Sequence, residues 1–139
     1  MRAEISVSSI MTKNLIALTR SDDLERAELL FKRYKIRHMP VVSGETIIGM
    51  LSYTDLMRIS YAETSSVKED RLETVVYNNF TIEQVMQKDV VTISANTPIK
   101  EAAKILAERE FHALPVVEDG TLVGIVTTTD LLKYFIKQF

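Results

Sequence analysis

The chain has 139 residues, 46% of them apolar, and a net charge of −2 from 17 basic and 19 acidic residues, which is the make-up of one compact domain able to bury a core. Mixed charge leaves no basic stripe to neutralise a phosphate backbone, so no nucleic acid is expected as a partner. The absence of cysteine excludes disulfides, thiol nucleophiles and thiolate metal sites, and two histidines do not make a zinc site alone.

In chain order, Leu15 to Leu18 reads as a short apolar strand. Asp22 with Glu25 three residues on predicts a capping box, and behind it Leu24, Ala27, Leu30, Phe31 and Tyr34 recur at helical spacing to give one apolar face. Met39 to Val42 and Ile47 to Leu51, joined by Ser43, Gly44 and Glu45, predict a hairpin, and Asp55 to Ala62 a second helix. Residues 63–79 are charged and polar and read as a crossover, with Ser66 and Glu69 spaced to cap a short helix and Lys68 to Arg71 as a solvated charge run.

The same order then returns. Residues 5 to 58 align with 80 to 133 without a gap at an offset of 75: Met11 recurs as Met86, Pro40-Val41-Val42 as Pro115-Val116-Val117, Gly49 as Gly124, and Thr54-Asp55-Leu56 as Thr129-Asp130-Leu131. Val90 to Ile93 is the second short strand. Thr97 before Pro98 predicts an N-cap with proline at the first helical position, followed by the apolar face of Ile99, Ala102, Ala103 and Leu106. Leu114 to Val117 and Leu122 to Val126 predict a hairpin turning through Asp119 and Gly120, and Asp130 to the C-terminus a final helix. The architecture is α/β, of the α+β kind: two β-α-β-β-α motifs, 5–62 and 80–139. Each is too small to bury much alone, so the two are expected to pack about a pseudo-twofold axis as one module.

Each repeat also ends its hairpin on a glycine, two apolar residues, a hydroxyl residue and an aspartate three further on: Gly49-Met50-Leu51-Ser52-Tyr53-Thr54-Asp55 and Gly124-Ile125-Val126-Thr127-Thr128-Thr129-Asp130. With the proline-valine-valine strands upstream, this resembles the cystathionine β-synthase (CBS) domain, and the tandem resembles a CBS pair, or Bateman module. The resemblance covers nearly the whole chain. It implies a stand-alone regulatory module that binds adenosine-containing ligands (AMP, ADP or ATP) in clefts between the motifs, with no covalent cofactor. It further implies that Ser52, Thr54 and Asp55 in one copy, and Thr127, Thr129 and Asp130 in the other, hold ribose or phosphate. Arg37, His38 and His112, just before the prolines, would reach the phosphates.

The residues themselves leave alternatives open. Ser52 with Asp55 and Thr127 with Asp130 also fit a capping box, and His38 and His112 fit packing or surface roles as well as ligand contact. A helix start nevertheless suits an anion, and a carboxylate can accept from adjacent ribose hydroxyls. Leu131, Leu132, Phe135, Ile136 and Phe139 read most simply as core, although so wide a stripe would also serve a homodimer. No G-x-S-x-G elbow, H-E-x-x-H helix or phosphate-binding glycine loop occurs, so no enzyme is expected. A module of this kind is expected in the cytoplasm, off the membrane, and acting on an effector protein in trans. The competing readings are a dimerisation or interaction module with degenerate clefts and a binder of S-adenosylmethionine.

Overall fold

The computed structural model describes residues 4–63, 80–109 and 111–139. After a 3-10 turn at Val7–Ser9 come α1 (Leu24–Tyr34), β1 (His38–Ser43), β2 (Thr46–Ser52), α2 (Tyr53–Glu63) and a one-turn helix α3 (Ile82–Val85). There follow α4 (Ile99–Arg109), β3 (Ala113–Glu118), β4 (Thr121–Thr127) and α5 (Thr128–Lys137). The mixed architecture of helices and paired hairpins is the one expected. The cap read from Ser66 and Glu69, and the charge run beside it, lie outside the described residues.

Both hairpins are antiparallel and share one register, with an irregularity at Val41/Val42 and again at Val116/Val117. Asp119 and Gly120 both take positive φ, 50° and 79°, as a two-residue turn that follows the strand twist requires. The short strands expected at Leu15–Leu18 and Val90–Ile93 are each reduced to one bridging residue, Leu18 against Val41 and Ile93 against Val116, both parallel. Leu18 N–H donates to the Pro40 carbonyl at 2.9 Å, and Val42 N–H donates to the Leu18 carbonyl at 2.8 Å. The next rung towards Ile16 would need an N–H from Pro40, which proline lacks, and Pro115 stops the ladder in the same way.

Two helix starts differ by one residue from expectation. Asp23, not Asp22, caps α1 by accepting from Arg26 N–H at 2.8 Å, because Asp22 is occupied by Thr19 N–H at 2.8 Å. The Thr97 hydroxyl turns back to accept from Ser94 N–H, and Pro98 supplies the carbonyl that receives the first bond of α4, from Ala102.

The chain divides into two compact units, Ile16–Asp89 and Met1–Leu15 with Val90–Phe139. The division does not follow the repeat boundaries in sequence. The first-repeat unit takes in residues 80–89, and the second-repeat unit takes in the opening segment. In the first-repeat unit, Leu18, Leu24, Ala27, Leu30, Phe31, Met39, Val41, Leu51 and Leu56 form a core closed by Ile82, Val85 and Met86. In the second-repeat unit, Ile93, Ile99, Ala102, Leu106, Leu114, Val116 and Val126 form the core and Val7 joins it. Each opening segment is therefore a strap on a hairpin. Gln87 exchanges both backbone bonds with Met50, and Thr12 exchanges both with Ile125.

The apolar stripe of α5 is corrected by the structure. Leu131 is half-buried, but Leu132, Phe135, Ile136 and Phe139 are exposed, Phe139 at 91%. Tyr34, expected on the apolar face of α1, is also exposed, with the Arg33 guanidinium 5.7 Å above its ring.

Candidate functional site

In both units the hairpin ends directly on a helix, so the motif residues sit at the junction. Ser52 ends β2, and its hydroxyl accepts from Asp55 N–H at 3.0 Å, capping α2. Thr127 ends β4 and caps α5 reciprocally: its hydroxyl accepts from Asp130 N–H at 3.1 Å, while Asp130 Oδ2 accepts from Thr127 N–H at 3.0 Å. The capping role allowed by the spacing is thus present in both copies, completely in the second and one-way in the first. Thr54 and Thr129 are exposed on the first turn of their helices, while Asp55 and Asp130 are half-buried.

The basic positions come to the same place through the backbone. The Arg37 carbonyl accepts from Tyr53 N–H at 2.9 Å, and the His112 carbonyl accepts from Thr128 N–H at 3.0 Å. This bond ties the entry of each hairpin to the first residue of the following helix. His38 is paired in register with Ser52, and the equivalent pair is Ala113 with Thr127. The arrangement therefore gathers Arg37, His38, Ser52, Thr54 and Asp55 at the start of α2, and His112, Thr127, Thr129 and Asp130 at the start of α5. With the N–H groups of Tyr53, Asp55, Thr128 and Asp130 already bonded, each start offers the positive end of its helix and its hydroxyls to an anion, and a carboxylate to hydroxyl donors. Among the described residues no group of three or more histidine and acidic side chains is placed to hold a metal ion.

Three further residues reach these junctions. The Thr12 hydroxyl donates to Asp130 Oδ2 at 3.5 Å. Arg58 Nη1 lies 3.4 Å from Asp55 Oδ1. Tyr53 meets Phe31 edge-to-face, with ring centroids 5.6 Å apart. Only Arg58 had a sequence signal: it aligns with Lys133 in the repeat, so both copies carry a cation three residues after the aspartate. Thr12 is far from Asp130 in sequence, and only the docking of the strap brings them together.

The family model for the CBS domain matches residues 7–62 and 82–137. The uncharacterized protein MJ1225 of Methanocaldococcus jannaschii is 28% identical over 137 residues, covering 93% of this chain and 46% of that protein. Inosine-5'-monophosphate dehydrogenase of Staphylococcus aureus is 29% identical over 123 residues, covering 86% of this chain and 22% of the enzyme. The chain thus spans between about a fifth and about half of the curated relatives it matches.

Among solved structures, a Vibrio cholerae protein assigned to acetoin utilization (AcuB) superposes with a TM-score of 0.80 at 28% identity, over 98% of this chain and 93% of that one. The CBS domain pair of protein MJ0100, in complex with 5'-methylthioadenosine and S-adenosyl-L-methionine, gives 0.80 at 22%, over 99% and 100%. CBSX2 in complex with AMP gives 0.77 at 24%, over 96% and 97%. The last two share the fold. No helix among the described residues is long and apolar enough to cross a membrane. With its model matched once in each repeat and across most of the chain, the protein belongs to the CBS-domain family.

Proposed function

We propose that the protein is a regulatory module that binds an adenosine-containing ligand, AMP, ADP or ATP, and signals by a change of conformation or assembly rather than by catalysis. The observation that carries this reading is the duplicated helix start. A hydroxyl residue, a carboxylate and a basic position meet at one junction in each unit, tied by the same bond from Tyr53 to Arg37 and from Thr128 to His112. The carboxylates of Asp55 and Asp130 suit the ribose hydroxyls, and Ser52, Thr54, Thr127, Thr129, Arg37, His38 and His112 suit ribose and phosphate. The adenosine ligands of the MJ0100 and CBSX2 pairs support that class, with S-adenosylmethionine as the alternative ligand. A ligand of this kind shifts the population of a conformer by its differential affinity, in a cytoplasm where such nucleotides circulate.

Isothermal titration with AMP, ADP, ATP and S-adenosylmethionine tests the reading, using Asp55→Asn and Asp130→Asn as variants. Asparagine keeps an oxygen able to cap but loses the charge. Saturable binding weakened about tenfold by either change supports it, because a charge-assisted bond is worth about 1.5–3 kcal/mol. Flat titrations, together with melts that no ligand shifts, overturn it.

The exposed face of α5 favours a homodimer as the assembly that responds. Leu132, Phe135 and Ile136 are each more than half exposed, and the rings of Phe135 and Phe139 meet at a tilt of 56° with centroids 4.8 Å apart. An effector protein in trans would read the resulting change.

A further inference from the structure

The two aspartates that the repeat aligns are held in different ways. Asp130 Oδ2 accepts from Thr127 N–H and from the Thr12 hydroxyl. Both donors are neutral, so neither brings a positive charge to the carboxylate. Asp55 instead faces a cation, the Arg58 guanidinium, on the next turn of its own helix. Lys133 occupies the position equivalent to Arg58, yet among the described residues it makes no ion pair with Asp130.

The surrounding residues deepen the contrast. At α2 the two positions that open the hairpin are Arg37 and His38, both basic; the equivalent positions at α5 are His112 and Ala113, of which only the histidine is basic. The first-repeat junction therefore sets the Arg58 guanidinium beside its carboxylate, with Arg37 at the entry of the hairpin. The second carries an uncompensated carboxylate with a histidine.

We infer that Arg58 sets the ligand preference of the first-repeat site, selecting phosphorylated adenosine, while the second-repeat site favours an uncharged adenosine derivative. The inference rests on the adenosine reading above and adds the charge of the ligand at each site. A phosphate brought to a helix start whose aspartate has no cation beside it meets repulsion that offsets the attraction of the positive end of the helix. The Arg58 guanidinium beside Asp55 lessens that repulsion and leaves the carboxylate its second oxygen for ribose. The Arg58 side chain is 74% exposed, so the pair is weakly held and its planar fork can turn to a phosphate.

Titration of AMP and 5'-methylthioadenosine into the wild-type chain, Arg58→Gln, Arg58→Lys and Lys133→Gln tests this, with Asp55→Asn and Asp130→Asn identifying the two sites. Arg58→Gln should weaken AMP about tenfold at the site that Asp55→Asn removes and leave 5'-methylthioadenosine within about twofold, since only the phosphate loses a charged donor. Arg58→Lys should restore part of the AMP preference, and Lys133→Gln should change neither ligand. Equal losses for both ligands in Arg58→Gln, no loss at all, or the same AMP loss in Lys133→Gln overturns the inference alone. A wild-type chain that binds neither ligand overturns the adenosine reading and this inference with it.

Discussion

Gly49 and Gly124 show what a single hydrogen atom in place of a side chain does for this fold. A methyl group on Gly124 would lie 2.7 Å from Met11 Sδ and 3.1 Å from the Thr12 carbonyl oxygen. The thioether can swing away, but the carbonyl is fixed by its bond to Ile125 N–H. Gly124→Ala should therefore destabilise the protein by about 1–3 kcal/mol, as overpacking does, measured by urea unfolding. Gly49 is packed tighter still, under Met86 and the Gln87 carbonyl, and its alanine variant should cost at least as much. The caps give a second comparison. Thr127→Ala removes the acceptor of a reciprocal cap and should cost about 1 kcal/mol. Ser52→Ala should cost less, because Asp55 turns its carboxylate to Arg58 rather than back to the strand. Both outcomes are read from denaturant midpoints at unchanged slope.

At the scale of elements, the two copies solve the same task with different residues. In the second strap, Thr81 and Gln84 form a complete capping box, and α3 forms behind it. The matching residues of the first strap are Ser6 and Ser9. The Ser9 hydroxyl donates to the Ser6 carbonyl instead, and the segment closes as a 3-10 turn. Helix α1 ends on Lys35 at φ 54°, a left-handed conformation that strains any side chain with a Cβ. Lys35→Gly should raise stability by a few tenths to about 1 kcal/mol, as relief of that strain outweighs the added freedom of the unfolded chain. A lower melting temperature would show that the Lys35 side chain matters more than its backbone. Helix α5 rests on the core of its unit through the half-buried Leu131 and Tyr134, and Phe135 faces away from that core. Phe135→Asp should accordingly leave the melting temperature within about 3 °C, given the small cost of a change at a solvated position. If α5 is the dimer surface, the same change lowers the mass measured by sedimentation.

For the whole molecule, the consequential feature is that each unit is completed by a strap from outside its own repeat in sequence. Val7 and Ile82, equivalent in the repeat and both fully buried, each close the core of the other copy's hairpin and helices. A fragment cut at the repeat boundary separates each hairpin from its strap, whereas residues 16–89 keep theirs. A peptide of 16–89 should thus melt more cooperatively than 5–79, a chain of nearly equal length, when the two are followed by circular dichroism. Equal behaviour would show that the straps contribute little to either core.

Much of this was legible without coordinates, because it depends on local chemistry. The repeat, the hairpin turn at Asp119 and Gly120, the apolar faces of α1 and α4, and the meeting of Ser52 with Asp55 and of Thr127 with Asp130 all involve residues a few positions apart. Their spacing alone brings them together. Other features depended on competition between neighbours. Asp22 and Asp23 are equally good caps until Thr19 N–H occupies one of them, and the short strands look continuous until Pro40 and Pro115 withhold a donor. The strap exchange, the Thr12 contact to Asp130 and the exposure of α5 were decided by tertiary structure. They bring together or leave apart residues far removed in sequence, and no local pattern specifies which core an apolar segment will join.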